Sequence, residues 1–150
     1  PYEGKVDTSI VLKMTEQLLS AGANEIILAD TIGAANPASV GYLFKMCVYE
    51  FGHEVLSGHF HDTRAMALAN VCAALAEGIR KFDSCIGGLG GCPFAPGAAG
   101  NLATEDLANM LSQMEFETNV DLQKLSAIVE FCSDELNAPL GGRMSAWLSK

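Results

Sequence analysis

The sequence predicts an α/β chain built as part of a (β/α)8 barrel, and three observations carry that prediction. Short apolar runs alternate with amphipathic stretches at a period of a little under thirty residues, the pattern of parallel strands joined by crossover helices. Polar residues gather just after each run, where barrels of this kind place their chemistry. A complete eight-stranded barrel takes roughly 250 residues, so 150 residues holding three such units make less than half of one. The competing arrangement, a small open α/β sheet, needs more strands than the sequence offers. Residues 1–150 are read as one domain, a fragment of a longer barrel.

Each element has its own local justification. Asp7–Ala21 reads as a helix with Val11, Met14 and Leu18 inward and Gly22 after it. EIILAD, residues 25–30, is an apolar run ending in a carboxylate, as a buried strand would be. Asn36 and Pro37 then supply an N-cap and a first-turn proline. Val40, Leu43, Phe44, Cys47, Val48 and Phe51 follow at helical spacing, and Gly52 stops the helix. EVLSGHFHD, residues 54–62, is the second strand, and Arg64–Glu77 an alanine-rich helix closed by Gly78. KFDSCIGG, residues 81–88, is the third strand. Thr104 is expected to cap a fourth helical stretch, with Glu105 and Asp106 in its first turn and Leu107, Met110, Leu111 and Met114 inward. Asp121–Asn137 completes the series, with Leu122, Leu125, Val129, Cys132 and Leu136 inward.

Composition excludes several classes of function. A net charge of −9 opposes nucleic acid, whose phosphates would be repelled. No run approaches the roughly 20 apolar residues a membrane span needs, and PYEGKVDTS does not read as a signal peptide. The five cysteines form no C-x-x-C pair. Cys47, Cys72 and Cys132 sit among apolar residues and are expected to be buried free thiols of a reducing compartment.

His59-Phe60-His61-Asp62 is the sharpest local signal. Side chains alternate faces along a strand, so the two imidazoles point the same way at its C-terminal end and can hold a divalent cation. Oxygen donors at neighbouring strand ends are Asp30, Asp62 and Asn101. Mixed imidazole and oxygen ligation favours Mg²⁺ or Mn²⁺ over structural zinc. Asp30 either caps the turn Thr31-Ile32-Gly33 or faces the same cavity as the histidines.

GGLGGCPFAPGAAGN, residues 87–101, holds six glycines and two prolines around Cys92. Gly90 and Gly91 let backbone approach a ligand or swing as a lid, and the prolines shape it. A thiol carried there, with an ordinary pKa of about 8.5, can exchange a proton near neutrality.

With these residues assembled, the chain resembles the C-terminal half of the 3-hydroxy-3-methylglutaryl-CoA lyase family, within the metal-dependent lyase and Claisen-synthase barrel superfamily. The stretches that carry the likeness are PYEGKV, LADTIGAANP, HFHDTRAMALAN, DSCIGGLGGCPFAPGAAGNLATEDL and NVDLQKL. The resemblance implies His59, His61 and Asn101 as metal ligands, Cys92 on a mobile glycine loop and Asp30 at the mouth as catalytic residues. It implies a supporting place for Glu105 and for Gly90 and Gly91. The cofactor would be Mg²⁺ or Mn²⁺. The substrate would be an acyl-CoA, cleaved to acetyl-CoA and a 3-oxo acid. The whole enzyme would be a homodimer of the bacterial cytoplasm or the mitochondrial matrix, with no nucleic-acid or membrane partner. The family's metal-binding aspartate and substrate-binding arginine on the first barrel strand lie outside these 150 residues.

Departures from the family pattern are Ile86-Gly87 for valine-alanine, Phe94 for tyrosine, and Arg64 for a bulky neutral residue. They suit a paralogous branch acting on a different 3-hydroxyacyl-CoA. The alternatives are a non-catalytic metal-binding or interaction domain, a Claisen-condensing acyltransferase, whose members lack the G-G-C-P loop, and a zinc amidohydrolase, which needs more histidines.

Overall fold

The computed structural model describes residues 4, 6–91 and 100–148. Its order is α1 (Thr8–Ser20), β1 (Ile26–Asp30), α2 (Pro37–Phe51), β2 (Leu56–Phe60), α3 (Ala67–Ala76), β3 (Phe82–Asp83), a 3-10 turn (Ile86–Gly88), α4 (Thr104–Gln113), α5 (Leu122–Leu136) and α6 (Arg143–Leu148). The three strands are parallel in the order β1-β2-β3.

Register decides what each strand end presents. Ile27 pairs with Ser57 and Ala29 with His59, while Leu28 pairs with Gly58 and Asp30 with Phe60. His59 in turn faces Asp83. Because side chains alternate, Ile26, Leu28, Leu56 and Phe60 share the face buried under the helices with Val40, Phe44, Cys47, Val71 and Ala74. Ile27, Ala29 and His59 share the other face, where Ile27 is 52% exposed. Gly58 belongs to the buried parity, and a Cβ there would meet the Phe60 ring at 3.0 Å and Phe82 at 3.1 Å. The glycine makes room for both rings.

Side-chain caps start α1, α2 and α5 at Asp7, Asn36 and Asp121, the Asn36 cap as the sequence predicts. Asn36 Oδ1 accepts from Ser39 N–H and Ser39 Oγ accepts from Asn36 N–H, a reciprocal capping box ahead of Pro37. Asp121 accepts from Gln123 and Lys124 N–H. Elsewhere the expectations need correction. Helix α3 begins at Ala67, not Arg64, because Ala65 holds φ 56° and Asp62 Oδ1 takes the Ala67 N–H at 3.0 Å. The third strand closes after Asp83; beyond it Gly87 turns at φ 60°, a conformation glycine adopts without steric cost. The N-cap of α4 is Ala103, with no side-chain cap, and the Thr104 hydroxyl pairs with Ser84 at 2.9 Å instead.

Four inward assignments also change. Met14, Leu18, Met114 and Leu136 are exposed. In α1 the inward side is Val11, Leu12, Thr15 and Leu19, while Ile10, Met14 and Leu18 form a second apolar stripe at i, i+4, i+8 on the outside. Cys47 is fully buried, and burial pushes its thiol up to about 11. Cys132 is half-buried, but Cys72 is exposed, its Sγ 3.6 Å from Met110 Sδ. The six-residue α6 is an element the sequence reading lacked.

Candidate active site

The site forms where β2 runs out. His59 is its last but one residue, and Asp83 on β3 stands beside it in register. His59 Nδ1 lies 2.6 Å from Asp83 Oδ1, so the carboxylate holds the proton on Nδ1 and leaves the Nε2 lone pair available. His61 continues the same parity past the strand and is 5% exposed. The two imidazole centroids are 5.1 Å apart, edge to face.

Asn101 reaches this place through the backbone bonds of its neighbours. Asp62 N–H donates to Gly100 O and Leu102 N–H to Phe60 O, which sets Asn101 opposite His61 in an antiparallel bridge. The same segment binds β3's extension through Cys85 N–H to Leu102 O and Thr104 N–H to Cys85 O. The Asn101 amide donates its Nδ2 hydrogen to Leu89 O at 2.9 Å. Its Oδ1 is buried and accepts no hydrogen bond among the described residues. Gly90 is needed here: a Cβ would stand 2.9 Å from Asn101 Nδ2, and the backbone holds φ 100°. A Cβ at Gly91 would meet nothing within 4 Å among the described residues.

Glu105 fixes the base of the loop. It is fully buried and accepts from Gly87 N–H at 3.1 Å, Gly142 N–H at 2.6 Å and the Ser145 hydroxyl at 2.8 Å. Gly87 O in turn accepts from Gly141 N–H. Its neighbour Asp106 accepts from Arg143 and Met144 N–H. One Glu-Asp pair therefore ties α6 to the start of the glycine segment.

Asp30 takes a different place. Its register partner is Phe60, and its two oxygens accept Ala34 N–H at 2.8 Å and Ala35 N–H at 2.9 Å. It organises the loop into α2, and the structure does not bring it onto the face that carries His59. Cys92 lies outside the described residues.

Among the described residues no group of three or more His, Cys, Asp or Glu side chains is placed to hold a metal. What stands together is two imidazoles with centroids 5.1 Å apart and Asn101, bridged through its backbone to His61. A buried amide oxygen without a donor fits a cation, since such an atom is costly unless something occupies it. The composition fits Mg²⁺ or Mn²⁺ better than a thiolate-bound metal.

Comparison with known proteins places the sequence and the fold. The HMGL-like family profile matches residues 1–132. The chain belongs to the HMGL-like family. It is 46% identical over 143 residues to the hydroxymethylglutaryl-CoA lyase YngG of Bacillus subtilis, covering 95% of this chain and 48% of that one. A crystal structure of the Bacillus subtilis HMG-CoA lyase superposes with a TM-score of 0.95 at 44% identity, covering 100% of this chain and 50% of the other. An HMG-CoA lyase from Acinetobacter baumannii, solved with coenzyme A and 3-methylmalate, superposes at 0.91 with 40% identity, covering 97% and 48%. The chain thus spans about half the length of the relatives it matches, and its fold is part of their (β/α) barrel.

Within this HMGL-like chain, one contributor to the site escaped the sequence reading. Asp83 sits in a run, KFDSC, that reads only as a strand. Aligning the parity of the second and third runs would have placed it beside His59.

Proposed function

We propose that this chain carries the histidine and glycine-loop portion of the active site of a divalent-metal-dependent carbon–carbon lyase. It would cleave 3-hydroxy-3-methylglutaryl-CoA, or a related 3-hydroxyacyl-CoA, by a retro-Claisen reaction. The observation that supports this best is the pair of imidazoles at the end of β2 with Asn101, its buried oxygen unsatisfied among the described residues, bridged opposite His61. Those three residues would hold Mg²⁺ or Mn²⁺, and the ion would supply Lewis acidity toward the substrate oxygens.

In the reaction the 3-hydroxyl loses its proton and the C3–O bond becomes a carbonyl. The C2–C3 bond breaks, its electron pair passes to the enolate of acetyl-CoA, and a proton delivered to C2 completes that product. His59, held by Asp83, presents Nε2 in one fixed direction, which is what ligation needs. The hydroxyl proton goes to Asp30 or to the histidine pair. The imidazoles stand beside Asn101, whereas both Asp30 oxygens are turned to backbone amides. Cys92, by its place in the glycine segment, is the donor to C2. Glu105 anchors the segment's first residue, and Gly90 gives Asn101 its room. The homodimer belongs to this proposal, as does the compartment: relatives include a bacterial lyase and mitochondrial and cytoplasmic eukaryotic ones.

The test uses the protein that carries these residues, supplied with Mn²⁺ and 3-hydroxy-3-methylglutaryl-CoA. Acetyl-CoA should form, Cys92→Ala should abolish it while sparing Mn²⁺ binding, and His61→Ala should lose both. Equal Mn²⁺ affinity in wild type and His61→Ala, by calorimetry, would refute the ligand set. Metal binding with no acetyl-CoA from this or related acyl-CoAs would leave a non-catalytic metal-binding domain.

A further inference from the structure

We propose that Arg64 and Arg143 form an anion-binding subsite next to the His59–His61–Asn101 site, taking a phosphate or carboxylate of the substrate. Both line one cleft of about 560 Å³, together with Gly88, Asn101, Asp62 and Asp106. The cleft opens at the C-terminal ends of β2 and β3, so a ligand in it touches the residue that faces His61.

The charges in this cleft are unevenly engaged. Asp62 accepts Ala67 N–H, and Asp106 accepts Arg143 and Met144 N–H through both oxygens. Both carboxylates serve the backbone, and neither arginine has an ion pair among the described residues. The other cations nearest the sheet are occupied. Arg80 donates to Leu75 O and Ile79 O and lies 5.3 Å over the Phe116 ring, and Lys81 bonds Glu25 and Glu54 O. In a chain of net charge −9 an anion is held only where positive groups gather locally. Two arginines lining one cleft can offer the forked donors that phosphate and carboxylate take. The cleft and its charges stand on their own; only the identity of the anion as part of a substrate rests on the lyase reading.

Calorimetric titration at low salt tests this, with inorganic pyrophosphate and glutarate as separate probes and no metal present. One or both should bind, Arg64→Gln and Arg143→Gln should each weaken binding about tenfold, and the double substitution should remove it. Pyrophosphate binding identifies a phosphate as the natural group, and glutarate binding a carboxylate. Lys45→Gln, an exposed cation on α2, should leave affinity unchanged, and all variants should melt as wild type does. Binding of neither anion, binding untouched by the double substitution, or equal loss in Lys45→Gln would overturn the subsite. Neither metal nor turnover enters the measurement, so its failure would leave the lyase reading standing, and the converse holds.

Discussion

Asp30 and Asp83 end the strands on either side of β2, yet they do opposite work. Asp30 stands in register with Phe60 and gives its oxygens to the amides of Ala34 and Ala35. Asp83 stands in register with His59 and gives an oxygen to its imidazole at 2.6 Å. The residue type is the same and so is the distance from the strand end, within one position. Parity separates them: one side of the sheet belongs to the helices, and the other to the histidines. A carboxylate at a barrel strand end is therefore not chemistry by default. Its partner decides.

Glu105 extends the Asp30 side of the comparison into the core, and breaking it should give the largest effect. Glu105→Ala leaves two backbone N–H groups and one hydroxyl without their shared acceptor. The Gly87 N–H is buried and the other two groups are partly so; at roughly 1–3 kcal/mol for a buried group and less for the others, stability in urea should fall by about 3 kcal/mol. A loss under about 1 kcal/mol would mean that α6 and the Gly87 turn are held by other contacts.

Asp83 should behave differently. It is half-exposed, so Asp83→Ala should change stability by less than about 0.5 kcal/mol, as surface substitutions do. Its effect should appear in Mn²⁺ affinity, weakened about tenfold because the His59 ring loses its orienting partner. Unchanged affinity would remove Asp83 from the site and leave His59 oriented by packing alone.

Much of this was legible in the sequence, and the residues that were not have a common cause. Helix periodicity and caps are local, so Asn36, Pro37 and Gly52 announce the start and stop of α2. The H-x-H pair needed only the two-residue repeat of a strand. Asp83 needed the pairing of two strands separated by a helix, which no local pattern encodes. Met14 and Leu18 were misassigned because α1 carries two apolar stripes, and the sequence does not say which one the sheet takes. The 3-10 turn and α6 were missed because three and six residues are too short for a 3.6-residue period to emerge. Asn101 is legible in the sequence as a possible oxygen donor, but its place opposite His61 rests on backbone bonds of its neighbours to Phe60 and Asp62 that only the folded chain displays.

The smallest expected effect is at Asp30, and it sharpens the comparison most. Asp30→Ala removes the acceptor of two partly buried amides in the loop leading to the Asn36 cap. Net hydrogen bonds of this kind are worth roughly 0.5–1.5 kcal/mol each, and water can reach part of the loop, so a stability loss of about 1 kcal/mol is expected. Mn²⁺ affinity should stay within about twofold of wild type, because the side chain stands on the parity of Phe60 and not of His59. A tenfold loss of affinity with stability intact would reverse the assignment: Asp30 would then turn toward the histidines when a cation is present, and strand parity would cease to separate the two carboxylates.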